Sequence, residues 1–212
     1  IGVVGVDIGV DGVEARPLGQ EGPTGDAVGD GRVATLQEGD GGADGVAVAR
    51  EVVEIGQPAL TQIQQAFGDW VLLADGSLNR RALREYIFQS PEARKTLESI
   101  THPAIRTSII QQLHAAQSPY AILVSPLLFE TNQHELTQHT LLIDATIELQ
   151  IERASQRDGQ NIEQIRNIIA AQMSREQKQT MADDIVLNDG HLDHLYAHLR
   201  PLHQKYLNMA AS

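Results

Sequence analysis

The sequence predicts a doubly wound α/β fold interrupted by an inserted helical subdomain, and three observations carry that prediction. Tyr120-Ala121-Ile122-Leu123-Val124 and Thr140-Leu141-Leu142-Ile143 are unbroken apolar runs too short for typical helices, as strands buried on both faces of a parallel sheet require. Helical periodicity follows each run, the alternation that builds crossover connections. Between about residues 57 and 117 the alternation stops and helix follows helix.

Residues 1–46 hold 13 of the 18 glycines and nine acidic residues, with two arginines, no lysine and no aromatic. Ordering glycine costs backbone entropy and short side chains bury little apolar surface, so this composition leans towards disorder, and residues 1–15 read as an extension. From Ala47 onward the pattern is globular. Gln57-Pro58 opens a helix through Leu60, Ile63 and Phe67 that Gly68 ends, and Asp75-Gly76 turns the chain into a second helix from Arg80 to Phe88. Ser90-Pro91-Glu92 starts a third, with Leu97, Ile100, Ile105, Ile109 and Leu113 as its apolar positions. His102-Pro103 is expected to break or kink that run. Thr146 is placed to cap a helix reaching Arg157. Asn161-Ile162-Glu163-Gln164 has the form of a capping box opening another through Ile165, Ile168 and Ile169. Asp184 to Leu187 suggests one more strand, and a last helix runs from Leu192 to about Asn208.

Composition excludes several classes of function. A formal charge of −12 argues against nucleic-acid or anionic-membrane binding, which draw on clustered Lys and Arg. There is no cysteine for a disulfide framework or a thiolate metal site. No apolar run reaches membrane-spanning length, and the N-terminus lacks a basic segment followed by a hydrophobic one, so a cytoplasmic protein is expected. His191, His194 and His198 share a helix face, but with no carboxylate motif spaced around them they read as exposed histidines, and no metal-ligand set is expected.

Four blocks carry a family resemblance. They are Ala74-Asp75-Gly76-Ser77-Leu78-Asn79-Arg80-Arg81, His102-Pro103-Ala104-Ile105, Pro126-Leu127-Leu128-Phe129-Glu130 and Ala182-Asp183-Asp184-Ile185-Val186-Leu187-Asn188-Asp189-Gly190. In order and spacing the chain resembles the dephospho-coenzyme A kinases from about Ala47 to Met209. The resemblance implies a P-loop kinase-like fold, one domain over residues 1–212, with residues 57–117 as the acceptor-binding insert and 146–175 as a lid. It implies small-molecule substrates, ATP with Mg2+ and dephospho-coenzyme A, and transfer of the γ-phosphoryl to the ribose 3′-hydroxyl, the last step of coenzyme A synthesis. A catalytically impaired nucleotide binder and a kinase for a related small molecule are the alternatives.

Site residues follow from the same alignment of motifs. Such kinases cradle phosphate with Gly-x-x-x-x-Gly-Lys-Ser/Thr, in which backbone N–H groups and the helix dipole meet the anion and Lys reaches the β and γ phosphates. Counting back from Val48-Ala49-Arg50 places this loop at residues 22–29, where Gly22 and Gly25 agree but Val28 and Gly29 occupy the lysine and serine positions. Gly5-Val6-Asp7-Ile8-Gly9 is a second loop-like stretch with Glu14 in the lysine position, and the first lysine anywhere is Lys95. Residues 1–46 thus leave three readings: a departure from the natural sequence, a degenerate kinase, or an unfamiliar phosphate site.

Asp44 is the carboxylate remaining from the family's Asp-Ala-Asp, with Val46 in the second position. A general base needs ~2.6 to 3.2 Å to the attacking hydroxyl, while two residues along a strand move it ~6 to 7 Å, so Asp44 reads equally as an exposed loop residue. Arg153 and Arg157 lie four apart on one helix face and suit either a phosphate clamp or pairing with Glu148, Glu152 or Asp158; the resemblance favours the clamp. Arg80, Arg81 and Arg84 suit the acceptor's phosphates or pantetheine end, or a solvated helix surface. The resemblance further implies that His102 shapes the acceptor cleft, that Glu130 is a polar groove residue and that Asn188 lies beside the adenine of ATP.

Overall fold

A computed structural model of the chain describes residues 2–8, 32–35, 46–158, 161–190 and 192–212; for 32–35, 46–47, 157–158 and 192 it describes the backbone alone. Among the described residues there are six strands: β1 (Gly2–Asp7), β2 (Arg32–Thr35), β3 (Val46–Ala47), β4 (Tyr120–Ser125), β5 (His139–Asp144) and β6 (Asp184–Leu187). They form one sheet in the order β3-β2-β4-β1-β5-β6. The four strands from β4 to β6 run parallel, with Val4 opposite Ile122 and Val6 opposite Leu141, and β2 lies antiparallel to β4. The helices are α1 (Val48–Glu51), α2 (Pro58–Phe67), α3 (Arg80–Gln89), α4 (Pro91–Ala115), α5 (Ile147–Asp158), α6 (Ile162–Ala170), α7 (Arg175–Met181) and α8 (Leu192–Ala210). The chain divides into two compact units, residues 1–46 with 113–212, and residues 47–112.

In the first unit, β1 corrects the composition-based expectation of disorder for the residues described there. Its backbone groups are taken up by strands on both sides, and Val3, Val4 and Val6 are buried. Glycine is needed at its centre: a Cβ on Gly5 would stand 2.9 Å from Thr137 Cγ2 and 3.0 Å from Leu128 Cδ2. The glycine that weakens a strand through entropy here permits close packing over the sheet. On one face Val4, Val6, Leu141, Ile143 and Val186 meet Leu195 and Tyr206 of α8.

In the second unit, Ile63 and Ile109 are fully buried and Leu83 nearly so, anchoring α2, α4 and α3. Gly68 ends α2 at φ 94°, a conformation L side chains rarely adopt, and its N–H returns to the Gln64 carbonyl. Ser90 caps α4 through Ala93 N at 3.2 Å. Of the break or kink expected at His102-Pro103, the break does not occur: α4 continues through the pair. A proline inside a helix costs about 3 kcal/mol, and burial of Ile105 and Ile109 beyond it, each contributing roughly 1.5 to 3 kcal/mol, offsets that.

Two capping expectations also resolve. Asn161 caps α6 through Glu163 N, with no reciprocal contact; the complete capping box is Ser174 with Gln177, at the head of α7. α7 itself is an element that periodicity did not announce, because its seven residues give less than two turns of pattern.

At the N-terminal edge of the parallel strands, Asp184 accepts from Lys205 at 2.7 and 2.8 Å, from Tyr206 at 3.0 Å, and lies 2.7 Å from His139 Nε2. Burial pushes its carboxyl up, but the hydrogen bonds from Lys205, His139 and Tyr206 prevail and hold it below the usual carboxylate range. Neighbouring Asp183 is also held low: burial opposes, and the Thr140 hydroxyl and N–H outweigh it. Burial, then the Asp184 charge, pushes the Tyr206 hydroxyl far up. A depressed acid stabilises the fold above its unfolded value, ~3.9, and the contribution is lost as pH falls through the folded value. Asp184→Asn therefore flattens the acid limb of stability in urea melts below about pH 5. Equal acid slopes in the two proteins would contradict this.

Candidate active site

Open α/β sheets bind ligands outside the C-terminal ends of their strands. Here those ends carry buried polar side chains: Asp7 on β1, Ser125 on β4 and Asp144 on β5. α7 is pinned across them. Its capping box fixes the first turn, from which Arg175 grips Asp144 as a fork at 2.8 and 2.7 Å, with Gln179 donating to the same carboxylate at 2.8 Å. Hydrogen bonding to Asp144 pushes the Arg175 guanidinium further up. One turn later Lys178 Nζ lies 3.1 Å from both Asp7 oxygens, 3.1 Å from Glu130 Oε1 and 3.4 Å from the Pro126 carbonyl.

The Lys178 site is nearly dry, with the lysine side chain 7% exposed, Asp7 0% and Glu130 17%. Two carboxylates face one ammonium. Glu130 Oε1 also accepts from Met173 N at 3.0 Å, tying the α6–α7 connection to the loop after β4, while its Oε2 is buried with no hydrogen-bond partner among the described residues. The arrangement ties β1, the 126–130 segment and α7 together at the C-terminal edge of the parallel strands.

Of the residues singled out from sequence, the structure brings Arg153 and Asn188 together: Arg153 Nη1 on α5 donates to the Asn188 carbonyl at 2.7 Å. Thr146 caps that helix through Leu149 N at 3.3 Å. Arg157 lies in its last turn, its side chain outside the described residues. Gly22, Gly25 and Asp44 lie outside the described residues altogether. The alternative loop starting at Gly5 is corrected in part, since Gly5, Val6 and Asp7 are strand residues.

The helical unit holds the other candidates. Asn79 caps α3 through Ala82 N at 3.2 Å, and Arg80, Arg81 and Arg84 occupy its first half. Arg81 pairs with Glu85 at 3.1 Å, and Arg80 Nη2 donates to the Arg50 carbonyl at 3.3 Å. Arg84 is exposed, as is His102 in the middle of α4.

Sequence reasoning missed Asp7, Asp144, Arg175 and Lys178. Two signals were present. Each aspartate closes an apolar run at the C-terminal end of a parallel strand, and Ser174-Arg175-Glu176-Gln177 spells the helix start that aims Arg175 and Lys178.

Solved structures define the class. TT1252 from Thermus thermophilus matches with a TM-score of 0.62 at 29% identity, over 75% of this chain and 81% of that one. Dephospho-CoA kinase from Campylobacter jejuni matches at 0.52 and 26%, with the same coverage of 75% and 81%. A parallel sheet of this fold with cations gathered at its C-terminal edge defines a P-loop kinase-type phosphotransferase. The family model described as CoaE, dephospho-CoA kinase, matches residues 33–194, a span that begins after Gly22 and Gly25. The dephospho-CoA kinase of Acinetobacter baylyi is 75% identical over 161 residues, 76% of this chain and 83% of the relative. That of Hahella chejuensis is 48% identical over 163 residues, covering 77% and 78%. The chain belongs to the dephospho-CoA kinase family, transferases of the last step of coenzyme A biosynthesis.

Proposed function

We propose that this chain moves the γ-phosphoryl of Mg-ATP to the ribose 3′-hydroxyl of dephospho-coenzyme A in the cytoplasm. The ribose oxygen forms the new P–O bond, the bond to the β-phosphate oxygen breaks, ADP leaves, and the hydroxyl proton passes to a base. The observation that carries the reading is the junction of Arg153 with the Asn188 loop at the sheet's C-terminal edge, in a chain of this family. Phosphoryl transfer asks mainly for positioning and charge neutralisation. Arg153 and Arg157 would steady the transferring group from a lid spanning residues 146–175. Asn188 would border the adenine, and Gly22 and Gly25 would cradle phosphate. Asp44 would serve as base, the helical unit with Arg80, Arg81, Arg84 and His102 would hold the acceptor, and Glu130 would be a polar groove residue.

Magnesium enters with ATP as part of the substrate. Among the described residues no group of three ligating side chains is placed to cage a metal. Such an ion would be held mainly by substrate phosphates, water and one or two carboxylates, and Glu130 Oε2, unpartnered among the described residues, is an oxygen of the right kind. The test is to incubate the chain with Mg-ATP and dephospho-coenzyme A and weigh the product. Gain of one phosphate with stoichiometric ADP is expected. Dephospho-coenzyme A that binds in calorimetry yet gains no phosphate would replace this reading with that of a non-catalytic binder, which Val28 and Gly29 in the lysine and serine positions would then explain.

A further inference from the structure

Arg153 and Asn188 reach the C-terminal edge of the sheet after two different strands, and one buried side chain stands at the root of both. β5 and β6 run side by side with Asp144 opposite Leu187, so the last residue of β5 lies one position from Asn188. The Asn188 N–H donates to the Asp144 carbonyl at 2.7 Å, and the Asn188 carbonyl accepts from Arg153 Nη1 at 2.7 Å. Asn188 is thus held by both backbone groups, one to the end of β5 and one to α5.

Beyond Asp144 the chain turns into α5 within two residues. Gln150 Nε2 donates to the Ala145 carbonyl at 2.9 Å and Thr146 caps the helix through Leu149 N, so residues 144–146 set the direction in which α5 carries Arg153, in its second turn, away from the sheet. Asp144 is therefore the common origin of the two sides of the Arg153 to Asn188 contact. Its carboxylate is 2% exposed, and a buried carboxylate takes the orientation that its donors dictate.

Those donors come from α7. Arg175 takes both oxygens, Nε on Oδ1 at 2.8 Å and Nη2 on Oδ2 at 2.7 Å, and Gln179 adds a third bond to Oδ2 at 2.8 Å. A planar fork fixes the plane of the carboxylate as well as its position, which a point cation does not. Displacing a group that stabilises the transition state by about 1 Å can cost about 100-fold in rate, so a side chain that never meets substrate can control one that does.

We infer that Arg175 is a positioning residue for phosphoryl transfer: through Asp144 it places the Asn188 carbonyl that orients the Arg153 guanidinium. This rests on the proposal that Arg153 meets the transferring phosphoryl group.

Kinetics and hydrogen exchange on the full chain test it. Arg175→Lys keeps a cation beside Asp144, which preserves the fold, but replaces the fork with a single contact; kcat falls roughly 10- to 100-fold while KM for dephospho-coenzyme A stays within about threefold. Introduced into Arg153→Ala, the same change lowers kcat by less than about threefold, since the group it positions is already gone. A residue that only stabilised the fold would cost the same factor in both backgrounds. The Asn188 amide exchanges at least about tenfold faster in Arg175→Lys, and the amides of β1 exchange as in the wild type. Equal factors in the two backgrounds, a kcat within about threefold of wild type, or unchanged protection of Asn188 overturns the inference and leaves the kinase reading standing. A wild-type chain that transfers no phosphoryl rejects the kinase reading itself, and the exchange of Asn188 then decides the link from Arg175 to the Asn188 loop.

Discussion

Lys178→Met lowers the unfolding free energy by about 3 to 5 kcal/mol, because breaking a buried ion pair strands the opposite charge. Here two carboxylates lose that cation at once, since Asp7 and Glu130 both lie 3.1 Å from the ammonium and their side chains are 0% and 17% exposed. Lys178→Arg retains the charge but must fit a planar fork into a space shaped for a point cation, so it recovers part of the loss. Adding Asp7→Asn to Lys178→Met also recovers part, by removing one stranded charge. Urea denaturation read at its midpoint, with the slope unchanged, measures all three. A Lys178→Met loss below about 1 kcal/mol would mean that the lysine is not the buried partner its geometry indicates.

Arg153→Ala lowers kcat for phosphoryl transfer by about 100- to 1,000-fold, the scale set by loss of one charged donor that acts on the transition state. KM for dephospho-coenzyme A changes little, since the arginine is proposed to meet the transferring group and not the acceptor. The contact to the Asn188 carbonyl at 2.7 Å orients the guanidinium, and one ammonium serves both partners poorly, so Arg153→Lys leaves most of the defect in place. Thermal melts accompany the kinetics. A variant that loses stability in proportion to turnover, or whose kcat stays within about threefold of wild type, would reassign Arg153 to holding the Asn188 loop alone.

Legibility in the sequence differed by element for physical reasons. β4 and β5 announced themselves because a strand buried on both faces must be apolar throughout. α2 and α3 were bounded within a residue because Gln57-Pro58, Gly68 and the Asp75-Gly76 turn punctuate the chain there. β1 was misjudged because glycine content measures the entropy a segment loses, and nothing local reveals that strands on both sides will supply its hydrogen bonds. Pro103 misled for the same reason: its cost is local, while the burial of Ile105 and Ile109 that offsets it is tertiary.

The site divides likewise. Arg153, Asn188 and Glu130 stood out because motif spacing places them after strands or on a helix face. The Lys178 junction did not, since Asp7, Glu130 and Lys178 are distant in the chain and only adjacent strand ends and α7 bring them together.

By itself, then, the sequence determined the alternation of strand and helix, the boundaries of α2 and α3 and the family, because propensity, capping and motif spacing act over a few residues at a time. Only the tertiary structure decided that a glycine-rich stretch becomes the central strand, that a proline stays inside a helix, and that one lysine joins two buried carboxylates. Those outcomes depend on desolvation and packing between segments far apart in the chain, where the energy of each group is set by its neighbours in space.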